Sequence, residues 1–183
     1  MAADTFTTSD GIRLAYYVDD FTDPWRQADT LLLLHAAVGH ARRFYAWVPP
    51  LCRYYRVVRL DLRGHGASQV PPESSALDMA RLVADVEELL AHLGVKACHI
   101  VGNSAGGYIA QNLAMKAPEK VKSLMLFGST AGLRNSQAAS WLPRIAKDGL
   151  RGFFWPRTKY GSDQEMREVA DQVRQAVARA SRA

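Results

Sequence analysis

The stretch from Cys98 to Lys116 most restricts what this chain can fold into. Cys98-His99-Ile100-Val101 reads as a β-strand, Gly102-Asn103-Ser104-Ala105-Gly106 as a tight turn, and about Ala105 to Lys116 as a helix ended by Pro118. Turning from strand to helix within so few residues strains the backbone. Gly102 and Gly106, one on each flank, allow the two elements to approach closely. Such a turn lifts the Ser104 hydroxyl above a sheet edge, and the helix beginning there directs free amides and the positive end of its dipole at the same place. A tight turn with an idle serine is the simpler alternative. The strand-to-helix context favours a nucleophile.

The surrounding pattern predicts an α/β fold. Phe6-Thr7-Thr8, the Asp10-Gly11 turn and Ile12 to Val18 form an N-terminal antiparallel hairpin. Thr30 to Leu34 is an apolar strand of the kind covered on both faces. Arg43 to Tyr55 has helical spacing that Pro49-Pro50 interrupts. Val57 to Leu60 and Val121 to Phe127 are further strands, and Arg63 to Pro72 is a loop. Ser75 to Leu93 is the clearest helix, with Ser75 and Asp78 as a capping box and Gly94 as the stop. The alternation implies a mostly parallel sheet with helices on both faces. Beyond Gly128 it ceases. Arg134 to Tyr160 is irregular, and an amphipathic helix follows Ser162 with Met166, Val169, Ala170, Val173, Ala176 and Val177 on one face. Residues 1–132 are therefore expected to form the core and 133–183 a cap or lid segment, whose helix covers the sheet or forms a dimer surface.

The chain's 183 residues suit one domain, and its 48% hydrophobic and 22% charged residues are ordinary for a globular protein. The net charge of +5 is uneven. Residues 1–140 hold 14 Lys and Arg against 13 Asp and Glu, and 141–183 hold 9 against 5. The charges of the basic tail are read as scattered along a helix without interleaved aromatics, so a solvated face is expected there and no nucleic-acid partner. No signal peptide is evident at Met1 to Asp10, and Leu31 to Leu34, the longest aliphatic run, is far too short to span a bilayer, so no membrane partner is expected. Cys52 and Cys98 have no metal-binding or redox spacing and suit reduced thiols in a cytoplasmic protein. No His, Asp and Glu cluster has metal-ligand spacing, and no cofactor is expected.

Two more segments support the turn at Ser104. Leu31-Leu32-Leu33-Leu34 runs directly into His35-Ala36-Ala37-Val38-Gly39, where a second backbone amide could face a developing oxyanion. Asp61-Leu62-Arg63-Gly64-His65-Gly66-Ala67-Ser68 follows the strand at Val57. In these three ordered motifs the chain resembles the α/β-hydrolase superfamily, and within it the esterase, enol-lactonase and haloperoxidase-like branch, over about Thr5 to Gly132. The resemblance implies Ser104 as nucleophile, with Gly102, Asn103 and Gly106 completing its elbow. It implies the Ala105 and Ala37 amides as the oxyanion donors. His35-Ala36 stands where the family usually has His-Gly. The Asp61 to Ser68 loop matches a mainly structural signature and receives no catalytic role. His35 and Trp141 are candidate substrate-pocket residues.

A serine hydroxyl needs a base. The resemblance implies an acid and then a histidine after the serine in chain order. His35, His40, His65, His92 and His99 all precede Ser104, and the loop Gly128-Ser129-Thr130-Ala131-Gly132 carries no acid. Three explanations stay open: a truncated or frame-shifted chain, a second chain that supplies the missing groups, or recruitment of one of the five histidines. His35 is the nearest candidate in the expected topology, with a structural role in the oxyanion loop as its alternative. The expected function is hydrolysis of a small carboxylic ester or lactone through an acyl-serine. The alternative is an inactive or truncated domain that binds or forms homo-oligomers through an exposed sheet edge or the cap helix. Haloalkane dehalogenation needs a carboxylate where Ser104 stands.

Overall fold

The computed structural model describes residues 2–129 except 73, 74 and 76. The 133–183 segment, the helix after Ser162 and Trp141 lie outside the described residues, and the described part of the expected core ends three residues short of Gly132.

Six strands form one sheet in the order β1-β2-β4-β3-β5-β6. β1 (Asp4–Thr7) and β2 (Arg13–Asp19) make the expected hairpin, with Phe6 opposite Leu14. β2 also pairs antiparallel with β4 (Arg56–Leu60). β3 (Thr30–Leu34) lies parallel between β4 and β5 (Cys98–Asn103), and β5 pairs in parallel with β6 (Val121–Phe127). The sheet is thus mostly parallel with an antiparallel N-terminal side, as the sequence predicts.

Side-chain alternation along the strands builds two cores. Leu32, Leu34, Val58, Leu60 and Ile100 face α2 (Met79–His92) and α3 (Ala105–Lys116), packing on Val83, Val86, Leu89, Ile109 and Leu113. Leu31, Leu33, Val57 and Val101 face the other way, onto Phe44, Trp47 and Leu51. Because both faces are covered, all four leucines of β3 are fully buried, which explains its unbroken apolar run.

Two local expectations are corrected. The segment after β3 is a 3₁₀ helix over Ala41–Trp47 that passes into one α-turn, α1 (Val48–Leu51). Pro49 and Pro50 do not interrupt this helical turn. They sit in its first turn, where the missing amide hydrogens need no partner. The second correction concerns α2, which starts at Met79 and not near Ser75. Asp78 is its N-cap, extended at φ −119°, and its carboxylate accepts the Arg81 amide at 2.8 Å. Gly94, at φ +66°, ends the helix as expected.

Candidate active site

The C-terminal ends of β3, β4 and β5 lie side by side, so the loops that leave them meet. Ser104 stands at the β5-to-α3 junction with φ 50° and ψ −113° and is the one non-glycine residue with positive φ among the described residues. Its amide donates to the Phe127 carbonyl at 3.0 Å. Its carbonyl accepts the Ser129 hydroxyl at 2.9 Å and the amides of Gly107 and Tyr108 at 2.9 and 3.1 Å. The strained residue is thereby held at four points, while its own side chain makes no capping bond to the helix. Asn103 ends β5 opposite Phe127.

The flanking glycines are required by contact. A Cβ on Gly106 would stand 2.3 Å from the Leu34 carbonyl oxygen and 2.5 Å from its carbon. A Cβ on Gly102 would stand 2.5 Å from the Gly107 Cα. Without side chains there, α3 comes close enough for the Gly106 amide to donate to the His35 carbonyl at 3.1 Å. That bond ties the start of the loop after β3, which carries Ala37, to the N-terminus of α3. Among the described residues, neither of these two amides has a protein acceptor.

The two histidines beside this loop act on consecutive peptide groups. His35 is 1% exposed. Its Nε2 accepts the Leu62 amide at 2.9 Å, so in the neutral ring the proton sits on Nδ1, which donates to the Ala36 carbonyl at 2.7 Å. In a trans peptide the amide opposes the carbonyl, so fixing the Ala36 carbonyl also fixes the direction of the Ala37 N–H. Burial, the largest influence, lowers the His35 pKa to about 4, which keeps the ring neutral and Nε2 free to accept. One residue along, His65 Nε2 lies 2.5 Å from the Ala37 carbonyl and Nδ1 lies 2.9 Å from the Arg63 carbonyl.

The 61–68 loop is a buttress for this arrangement. Asp61 accepts the Ala41 amide at 2.5 Å and the Ala67 amide at 2.9 Å. Arg63, with its side chain 1% exposed, binds both oxygens of Asp85 on α2 at 2.7 and 2.6 Å and reaches Asp10 at 2.9 Å. The Arg63 guanidinium holds the Asp10 carboxyl well below the usual carboxylate range. The resemblance gives this loop a structural role only, and His65 stands in the sequence as one of five histidines that precede Ser104. The signal available was positional, since β3 and β4 are adjacent parallel strands and each leads within a few residues into a histidine.

The remaining histidines lie elsewhere. His99, near the start of β5, bonds Ser123 at 2.8 Å and approaches Asp29 at 3.4 Å. It sits roughly 16 Å down the strand from the elbow. His92 bonds the Tyr16 hydroxyl at 3.1 Å, and His40 precedes the 3₁₀ helix. Among the described residues no imidazole or carboxylate hydrogen-bonds the Ser104 hydroxyl, no group of three or more His, Cys, Asp or Glu could hold a metal ion, and no helix is long and apolar enough to cross a membrane.

Comparison with known proteins agrees with this geometry. The profile of the alpha/beta hydrolase fold matches residues 29–176. A solved hydrolase from Pseudomonas aeruginosa is 39% identical with a TM-score of 0.70, over 79% of this chain and 52% of that one. The dihydrolipoyllysine-residue acetyltransferase component of the acetoin cleaving system of Cupriavidus necator is 35% identical over 68% of this chain and 32% of its own length. A putative 2-succinyl-6-hydroxy-2,4-cyclohexadiene-1-carboxylate synthase of Bacillus subtilis is 27% identical over 95% of this chain and 65% of its own. The chain thus spans 32% to 65% of the length of these relatives. On its strand order, its strained serine elbow and the match over residues 29–176, this chain belongs to the α/β-hydrolase fold family.

Proposed function

We propose that this chain carries the nucleophile and oxyanion donors of a serine hydrolase that cleaves a small carboxylic ester or lactone. The observation that supports this most is Ser104 held at positive φ where β5 meets α3, with its hydroxyl uncommitted among the described residues. Ser104 Oγ adds to the substrate carbonyl, and the Ala37 and Ala105 amides donate to the oxygen that becomes negative. The bond to the leaving oxygen breaks, and that oxygen takes up the proton released by the hydroxyl. Water then adds to the acyl-serine, restoring the Ser104 hydroxyl and releasing the acid. The base that relays the proton is to be sought outside the described residues. The relatives are named for different reactions, an acetyltransferase component and a synthase, so the ester or lactone class is a reading of the Ser104 site alone.

The test is labelling of the intact chain by a fluorophosphonate probe. Wild type is expected to react at Ser104 and Ser104→Ala to lose the label. The oxyanion hole and binding alone should raise ester turnover over the uncatalysed rate by at least about 10³-fold. A folded wild type that neither takes the label nor exceeds Ser104→Ala in turnover overturns the reading.

A second reading, a binding or oligomerisation module, rests on β6. Among the described residues this parallel strand has β5 as its one neighbour, and Leu124 is 36% exposed on it.

A further inference from the structure

His65 faces two backbone carbonyls, one through each ring nitrogen, at 2.5 Å to Ala37 and 2.9 Å to Arg63. A neutral imidazole has one N–H, so it donates to one of these carbonyls and turns a lone pair toward the other. Only the imidazolium donates to both. From this geometry we infer that His65 is a positioning residue for the oxyanion loop, clamping the Ala37 peptide to the 61–68 loop in its protonated form and loosening it on losing the proton. This inference rests on the hydrolase reading for its catalytic consequence and on the bond pattern alone for its structural one.

The clamp has a fixed anchor and a defined target. Arg63, the anchor, is bound through its side chain to Asp85 and Asp10, so its carbonyl belongs to a rigid segment. The Ala37 carbonyl, the target, is exposed to solvent on a loop whose preceding peptide is already set by His35. His35 sets the peptide that carries the Ala37 N–H and His65 sets the one after it, so the loop is pinned on both sides of Ala37. With one held, the loop can turn about Ala37. The ionisable residues shown against the ring are His35, whose ring centre lies 5.2 Å away, and Arg63, through its carbonyl. The His35 ring, neutral above a pH of about 4, places no charge beside it there.

The measurement is a side-chain and carbonyl NMR titration of the full chain. The Ala37 carbonyl-carbon resonance is expected to move along the same curve as the His65 ring nitrogens, and to lose that dependence in His65→Gln. An Ala37 carbonyl that stays still while His65 titrates overturns the inference. So does one that moves equally in His65→Gln. The catalytic consequence is read separately, as the rate of fluorophosphonate labelling at Ser104. It should fall about threefold to tenfold in His65→Gln, and in wild type it should decline as the His65 ring loses its proton. Labelling that is equal in the two proteins at every pH overturns the catalytic consequence. If wild type neither takes the label nor exceeds Ser104→Ala in turnover, the hydrolase reading falls and the NMR titration alone decides whether the clamp exists.

Discussion

Ser104 holds a conformation costing about 1–3 kcal/mol for a residue with a side chain, and the Phe127, Ser129, Gly107 and Tyr108 bonds offset that cost. His35 works at the same scale by staying neutral. Its pKa is lowered from the ordinary 6.5 to about 4, so the folded chain binds fewer protons than the unfolded chain between those values. The stability linked to this ring is therefore complete above about pH 6.5 and is lost as pH falls to about 4, by roughly 3 kcal/mol. Urea unfolding at half-unit steps across that range is expected to show the decline. His99, also lowered by burial, adds to it in the same direction. The lowered carboxyls of Glu87 and Glu88, with ordinary values of 4.5, and of Asp10 and Asp29, with ordinary values of 3.8, add a loss in the same direction as pH falls through those values. A stability that stays flat from pH 6.5 to 4 would show that His35 does not keep the neutral form described for it.

At the scale of elements, the junctions matter more than the elements. β5 and α3 were legible because each has its own signal, an apolar β-prone run and a stop at Pro118. What joins them to β3 is the missing side chain at Gly106. Gly106→Ala puts a methyl group against the Leu34 backbone, which cannot rotate away as a side chain could. The helix must then retreat from β3, at a cost of about 3 kcal/mol, and the amide bond from Gly106 to the His35 carbonyl lengthens. Thermal unfolding reports the first effect, and slower labelling of Ser104 the second. An unchanged melting temperature would mean that the close approach is unimportant. The start of α2 was misplaced from sequence because Ser75 and Asp78 are both good caps. Asp78 wins because it alone has a bond to an amide of the first turn, that of Arg81.

At the scale of the molecule, a six-stranded sheet is covered on two faces by different helices, and β6 ends its described strand order. The oligomerisation reading makes a specific demand on that edge. Association through β6 should weaken in Leu124→Lys, because a charge on an edge strand opposes pairing with another chain. Sedimentation velocity of both proteins over a concentration series decides this. Equal mass distributions would remove β6 as the contact, and a wild type that sediments as a single chain would remove self-association through that edge.

The fold class, most strand positions and the Ser104 elbow could be read from the sequence, since each depends on residues close together in the chain. Periodic burial marks strands and helices, and a small-residue turn marks the elbow. The tertiary structure decided what depends on residues far apart. Pro49 and Pro50 open a helical turn because that turn follows a 3₁₀ segment packed under the sheet through Trp47. Asp61, Arg63 and His65 support the Ala37 loop because parallel pairing of β3 with β4 sets their ends side by side. His35 bonds Leu62 across 27 positions of sequence, a contact that no local pattern encodes. The elbow was thus legible in advance. The loop that faces it, and the two histidines that orient that loop, took their roles from strand pairing.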